Sequence, residues 1–269
     1  MALTHCLLLI FVLPHSSQLL AVSLRSPTRQ SAPAFAQMKG SVLVTGAAGG
    51  IGSALCKLFR EKGYQVFAAD RKASPAIDSL KGDSSVVPLP GLDLTSSESI
   101  KRLADSLLSS NAKLDIVIQN AGVLDERGID LFNLDFDSIR ESMQVNAVGP
   151  LELTVELLKR DLVRSPGGKI ALMTSQMGSV DDNSSGGYYG YRMSKSAMNI
   201  CAKSLSIDLK RYGIAVCLLH PGYVQTQMTG YNGNIKPETS AKGLEAQIDA
   251  LDMTNTGTWW NYRGEVLPW

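Results

Sequence analysis

Residues Ser41–Gly52 read SVLVTGAAGGIG. Ser41–Thr45 is a nearly continuous apolar run that ends in glycine, and Ala54, Leu55, Leu58 and Phe59 follow at helical spacing. The segment therefore reads as strand, glycine-rich turn and helix. Its glycines have separate tasks. Gly46 permits the tight turn out of the strand, and Gly50 lets backbone N–H groups approach a pyrophosphate. Gly52 lets the helix lie close on the strand, with its positive N-terminus toward the phosphates. Glycine spacing alone is a weak signal, but here it falls in the first strand–helix–strand unit, where a dinucleotide is held.

Gln65–Asp70 completes that unit and ends in a carboxylate 24 residues after Gly46. An acid there accepts hydrogen bonds from the adenosine ribose hydroxyls and repels a 2′-phosphate, which favours NAD(H) over NADP(H). Arg71 argues the other way, since a guanidinium accommodates that phosphate, but no basic residue within the glycine loop supports it. Further apolar runs follow at Val86–Leu89, Asp115–Gln119, Lys169–Thr174 and Ala215–His220, as expected of parallel strands buried on both faces. Periodic helices lie between them. The best marked opens with a capping box, Thr95-Ser96-Ser97-Glu98, and carries Ile100, Leu103, Ala104, Leu107 and Leu108 on one face. The alternation predicts an α/β fold, a doubly wound parallel sheet with helices on both faces, as one domain over Met38–Trp269 with no internal repeat.

Residues 1–37 have a different character. No Asp or Glu occurs before Glu61, and Leu7–Leu13 is an apolar run too short to span a bilayer. Ser, Pro, Arg25 and Arg29 follow, and Ala32-Pro33-Ala34 has the small-x-small form of a signal-peptidase site. The stretch is expected to be a removable targeting presequence outside the fold. An apolar signal followed by a plastid-type transit segment accounts for both features and sends the mature protein to an organelle, with mitochondrial and secretory leaders as alternatives. A start of translation at Met38 gives a cytoplasmic protein instead.

Charge excludes other classes. Lys and Arg number 26 against 25 Asp and Glu, and no basic cluster is interleaved with aromatics, so neither nucleic acid nor a membrane is an expected partner of the mature form. Cys6, Cys56, Cys201 and Cys217 form no CxxC pair and do not group with His5, His15 or His220, so no metal site is expected. The last three cysteines read as small buried hydrophobes.

Tyr191 and Lys195 are four apart on a helical pattern and share a face. Tyrosine titrates near ~10, too high for a base at neutral pH, and a nearby ammonium together with a positive nicotinamide favours the phenolate. Ser175 ends an apolar strand, where a doubly wound sheet presents ligand-contacting groups. Its hydroxyl can hydrogen-bond a carbonyl oxygen that gains charge as hydride arrives. Tyr188 and Tyr189 lack a lysine four residues on and read as pocket walls.

These pieces occur in a known order. The glycine loop, Asn120-Ala121-Gly122, Asn146, Ser175, Tyr191/Lys195 and Pro221-Gly222 are arranged as in the short-chain dehydrogenase/reductase family, which the chain resembles over essentially all of Met38–Trp269. Ser175–Asn199 and the ending GTWWNYRGEVLPW are similar to the C-factor or sniffer-like carbonyl reductases within it. The resemblance implies a single-domain Rossmann-type fold and NAD(P)-dependent interconversion of a carbonyl and an alcohol by hydride transfer. It implies Tyr191 as general acid/base, with Lys195 lowering its pKa and binding the nicotinamide ribose. Ser175 then positions the substrate carbonyl, and Asn146 holds a water in the proton relay. The implied cofactor-binding set is Thr45, Gly46, Gly50, Ile51 and Gly52, then Asp70 and Arg71, then Asp93 and Leu94, with Asp93 at the adenine. It continues with Asn120, Ala121 and Gly122, the Tyr191/Lys195 pair, and Pro221, Gly222, Val224 and Thr226, with Thr226 near the nicotinamide carboxamide. Members of this subgroup mostly use NADP, and Asp70 departs from that pattern.

The separation of 16 between Ser175 and Tyr191 exceeds the family's usual value, which leaves Ser179 as a substitute, though Ser175 better fits the strand end. Gln227–Thr239, rich in Gly and Asn, is expected to be a mobile substrate lid. Trp259, Trp260 and Trp269 read as packing around the last strand. Asn183-Ser184-Ser185 spells a glycosylation sequon eight residues before Tyr191, where a glycan would crowd the site. Apolar positions Met193, Ala197, Ile200, Cys201 and Leu205 fit packing within the fold or against a second subunit of a homodimer or homotetramer. Two other functions stay open: a cofactor-binding signalling or regulatory protein with little turnover, and a sugar-nucleotide epimerase, against which the lack of a substantial C-terminal substrate domain counts.

Overall fold

The computed structural model describes residues 38–73, 83–125 and 129–269. The expected presequence, residues 1–37, lies outside them, as does Cys6. Gln37–Trp269 forms one compact unit.

Seven strands make one parallel sheet: β1 (Gly40–Thr45), β2 (Tyr64–Asp70), β3 (Val86–Pro90), β4 (Ile116–Gln119), β5 (Lys169–Met173), β6 (Ala215–His220) and β7 (Trp259–Asn261). Their order is β3-β2-β1-β4-β5-β6-β7. The helices are α1 (Gly50–Glu61), α2 (Ser97–Ser109), α3 (Phe136–Met143), α4 (Gly149–Lys159), α5 (Tyr189–Asp208) and α6 (Pro237–Ala250), with one π-helical turn, Gln144–Val148, between α3 and α4. The pleat divides the sheet residues between two cores. Leu43, Phe67, Val117, Leu172 and Leu218 pack with α2, α4 and α5 on one face. Val42, Val66, Ile118, Ala171 and Leu219 pack with α1 and α6 on the other. Helices thus cover both faces, and the near-continuous apolarity of the strands is the consequence.

Several expectations shift by a residue or an element. The N-cap of α2 is Ser96, not Thr95; its side chain accepts from Ser99 N. Thr95 instead donates through Oγ1 to Asp93 at 2.7 Å. Ile100, Leu103, Ala104 and Leu107 are buried while Leu108 is half-exposed, because the stripe turns away from the sheet at the helix end. Trp259 is buried in the core beside Trp269, as packing requires, and Trp259 and Trp260 themselves form a further strand, β7 beside β6. The loop expected over Gln227–Thr239 is shorter, since Pro237–Thr239 opens α6. The remainder is held by backbone bonds, Asn234 N to Tyr223 O at 2.7 Å and Gln225 N to Ile235 O at 2.9 Å. Cys56 and Cys217 are buried, whereas Cys201 is partly exposed on α5.

Candidate active site

The chain runs from β1 outward through β2 and β3, then crosses back to β4 on the other side of β1. This reversal opens a crevice at the carboxyl ends of β1 and β4, where doubly wound sheets take their ligands. Asn120 and Thr45 stitch its floor. Asn120 Nδ2 donates to the carbonyls of Thr45 and Gly46 at 3.0 and 3.2 Å. Thr45 Oγ1 accepts from Asn120 N and Ala121 N at 3.0 and 3.1 Å. Both side chains brace the loop from behind, so neither offers these groups to a ligand.

Three glycines of the loop leave no room for a side chain. Gly46 has φ +65°, and a Cβ there would lie 2.9 Å from Ala121 Cα. Gly50 has φ +48°, and its Cβ would lie 2.8 Å from Thr226 Cγ2. A Cβ on Gly52 would stand 2.0 Å from the Gly46 carbonyl oxygen, so glycine alone lets α1 come this close. Gly49, the N-cap of α1, makes no side-chain cap bond, and the first turn carries no acid. Its N–H groups and positive dipole end therefore suit an anion. Gly50, Ile51, Asn120, Lys195, Tyr191 and Thr226 line one cleft of about 220 Å³ that begins at this loop. A crowded glycine cradle, an uncapped helix start and a cleft leading to Tyr191 fit a dinucleotide.

Asp70, at the end of β2, accepts through Oδ2 from Ala48 N at 2.9 Å, which places its carboxylate beside the loop. Arg71 is exposed and acts electrostatically on Asp93. The Asp93 carboxyl is held below its ordinary value by bonds from Thr95 Oγ1 and N, with Arg71 adding to the effect. Its Oδ1 is thereby committed to a turn. Leu94 is buried, its side chain in the core beneath α2 and its carbonyl 2.3 Å from where a Gly149 Cβ would stand. Gly222 has φ +84°, and Val224 bridges to Ile235.

The proton-transfer end is built on β5 and α5. Gly186, Gly187 and Tyr188 have φ of +64°, +65° and +50°, and this left-handed run swings the chain into α5. Tyr188 is thus a turn residue and not a wall of the two clefts described here; Tyr189 lines a neighbouring cavity. Tyr191 is buried and hydrogen-bonded to Ser175. Burial holds its hydroxyl above the ordinary value, and the Ser175 bond pulls it part of the way back. The buried Lys195 Nζ lies 5.6 Å from the Tyr191 ring centroid and donates to Met173 O at 3.0 Å. Burial pushes its pKa down to about 8. Desolvation of the phenolate thus sets the net upward direction for Tyr191. Tyr191 lines both the cofactor cleft and a second one of about 470 Å³ that also touches Ser175, Met177, Arg192, His220 and Tyr223.

Ser179 is drawn elsewhere. Its Oγ donates to Trp269 O at 3.0 Å and accepts from Asp182 N at 3.0 Å, so it fastens the chain end and does not face Tyr191. Asn146 sits in the π-helical turn. Its Oδ1 accepts from Val123 N at 2.8 Å, and its Nδ2 donates to Val123 O and Ser194 Oγ, both at 3.0 Å. The side-chain amide ties the segment after β4 to α5. Ser194, Thr174 and Asn199 complete the frame, with Thr174 Oγ1 donating to Asn199 Oδ1 at 2.6 Å. Spacing could have found Ser194 and Asn199, which follow Tyr191 by three and Lys195 by four on the same helix face. Asn183 is exposed and its Oδ1 accepts from Gly186 N at 3.1 Å. Among the described residues no group of three His, Cys, Asp or Glu could hold a metal, and no helix is long and apolar enough to cross a membrane.

Fold and site together define a nicotinamide-dinucleotide oxidoreductase. The chain belongs to the short-chain dehydrogenase family, whose profile matches residues 40–235. Among its relatives is the 1-hydroxy-2-glutathionyl-2-methyl-3-butene dehydrogenase of Rhodococcus sp. (strain AD45), 37% identical over 235 residues that cover 85% of this chain and 99% of that one. The C-signal protein of Myxococcus xanthus is 37% identical over 158 residues, 58% of this chain and 93% of its own. Of solved structures, the carbonyl reductase Sniffer of D. melanogaster superposes with a TM-score of 0.77 at 29% identity, covering 86% of this chain and all (100%) of that one. An NADPH-bound carbonyl reductase from chicken fatty liver gives 0.75 at 28% identity over 85% and 98% of the two chains.

Proposed function

We propose that this oxidoreductase interconverts an aldehyde or ketone and its alcohol, with Tyr191 as general acid/base. One observation carries the reading: the buried Tyr191, bonded to Ser175, forms the shared wall of the dinucleotide cleft and the second cleft. A bound nicotinamide supplies or accepts the hydride. The chain's own groups do the rest. Ser175 Oγ orients the carbonyl oxygen, and the Tyr191 hydroxyl gives that oxygen its proton during reduction. Lys195 binds the nicotinamide ribose and, with its charge, offsets the cost of the phenolate left behind. Asn146 holds the Val123 backbone beside this pair, and the proton-relay water is assigned to that neighbourhood. Replacement of Tyr191 by Phe is expected to lower turnover by at least ~10²-fold with dinucleotide affinity retained. Turnover near wild type would favour the second reading, a signalling role, which the likeness to C-signal supports.

For the cofactor, Asp70 beside the glycine loop favours NAD(H), against the NADPH carried by the chicken-liver reductase. The deciding experiment pairs a panel of aldehydes, ketones and quinones with NADH and NADPH. Better use of NADPH would overturn the preference alone, and no oxidation of either cofactor would overturn the carbonyl reading. We infer further that residues 1–37 are removed on import, into a plastid in the first instance. A fluorescent fusion of that segment that stays cytosolic would count against it. A homodimer or homotetramer is the expected assembly.

A further inference from the structure

The second cleft, about 470 Å³, has the size of a small-molecule site. Its wall carries two groups that the reading above leaves without a role, His220 and Arg192. His220 Nδ1 is enclosed and without a hydrogen-bond partner. Burial pushes the imidazole down to about 4, so it is neutral at working pH. Arg192, the residue after Tyr191, is only partly exposed, and a guanidinium keeps its charge throughout the physiological range.

Arg192 is the one cation among the described residues lining this cleft. Its Nε donates to Gly187 O at 3.2 Å, Nη1 to Met177 O at 3.3 Å and Nη2 to Ser185 Oγ at 2.9 Å. All three acceptors are neutral. Asp182 lines the same cleft, but it is exposed and accepts from Gln176 Nε2 at 3.0 Å. A guanidinium has five N–H groups, so one on each terminal nitrogen is left over. A partly buried cation with no carboxylate partner among the described residues is under-compensated, and two N–H groups on a planar fork match the two oxygens of a carboxylate.

We propose that the substrate is a carbonyl compound that also bears a carboxylate, which Arg192 receives while the carbonyl meets Ser175 and Tyr191. This rests on the oxidoreductase reading above and names its substrate class. Arg192 also braces residues 177–187, so its substitution disturbs that segment whatever the substrate. The informative quantity is therefore a ratio between two aldehydes that differ only in charge.

The test measures kcat/KM of the full chain for 4-carboxybenzaldehyde and for its methyl ester, methyl 4-formylbenzoate, with NADH and with NADPH. It is run on the wild type, Arg192→Gln and Arg192→Lys. The wild type is expected to prefer the carboxylate on the order of 10- to 100-fold. Arg192→Gln abolishes that preference, and Arg192→Lys keeps part of it. A wild type indifferent to the charge overturns the proposal. So does an Arg192→Gln variant that loses both activities in equal proportion, the result of a bracing role alone. If neither aldehyde oxidises either cofactor, the carbonyl reading is decided by the wider panel of aldehydes, ketones and quinones. The Arg192 proposal is then decided by calorimetric binding of 4-(hydroxymethyl)benzoate and its methyl ester, with and without NADH. The same preference and the same loss in Arg192→Gln sustain it, and equal binding of the two compounds overturns it.

Discussion

A serine hydroxyl has one proton to donate, and Ser179 gives its own to the Trp269 carbonyl while Ser175 bonds Tyr191. Replacement of Ser175 by Ala is expected to lower kcat by about 10²–10³-fold, the effect of removing a donor from a developing oxyanion. Ser179→Ala is expected to cost on the order of 1 kcal/mol of stability and to leave kcat within a few-fold. Comparable losses of turnover in the two variants would refute this division of roles. His220 sets a second expectation at this scale. Its folded pKa, about 4, lies below the ordinary histidine value of 6.5. The unfolded chain therefore takes up the extra proton first, so stability is complete above about pH 6.5 and declines as pH falls toward 4. The loss by pH 4.5 is on the order of 2–3 kcal/mol and should be missing from His220→Gln in urea titrations at pH 7 and 4.5. Identical pH slopes in the two proteins would refute it. Residue identity was enough to single out Ser175 and Tyr191. It left Ser179 open as a substitute for Ser175, because the direction of each hydroxyl depends on where the distant Trp269 comes to lie.

At the scale of elements, the β1–α1 unit depends on how closely a helix start can approach a strand end. Gly52→Ala would place a Cβ 2.0 Å from the Gly46 carbonyl, so α1 must move off the sheet. The expected cost is about 3 kcal/mol or more, with dinucleotide affinity lost alongside. Gly49→Ala meets nothing within 4 Å and keeps an extended backbone at φ −146°, so its melting temperature should match wild type. A Gly52→Ala protein that melts and binds like wild type would refute the account. This unit was legible in the sequence because glycine positions and a period change mark it locally. β7 was not, since three residues with two tryptophans carry no run, and they become a strand only by pairing with β6. The π-helical turn that presents Asn146 was equally hidden: one extra residue in a helical turn leaves no periodic trace over five residues.

For the whole molecule, the helices that cover one face of the sheet leave apolar residues outward. Met193, Ile200 and Ile207 recur every seven residues along α5 and are 52%, 66% and 59% exposed. Leu151 and Val155 are exposed on α4, which packs on the same core. Apolar residues left outward on two helices of one face are expected to be covered by a second copy of the chain. Ile200→Lys combined with Val155→Lys should then halve the mass seen by analytical ultracentrifugation without unfolding the protein. A wild type that sediments as a monomer would refute it. Exposure also separates two of the helix positions read from the sequence: Leu205 faces inward and Ile200 outward, although both are equally apolar. By itself the sequence determined the parallel sheet, the dinucleotide loop and the Tyr191/Lys195 pair, because strand apolarity, glycine geometry and helical spacing act over a few neighbouring residues. Only the tertiary structure decided that Ser175 is the serine bonded to Tyr191 and that burial raises that tyrosine's pKa. It alone put the neighbouring Arg192 on the second cleft with no carboxylate partner among the described residues, since burial and hydrogen-bond partners are set by segments far apart in the chain.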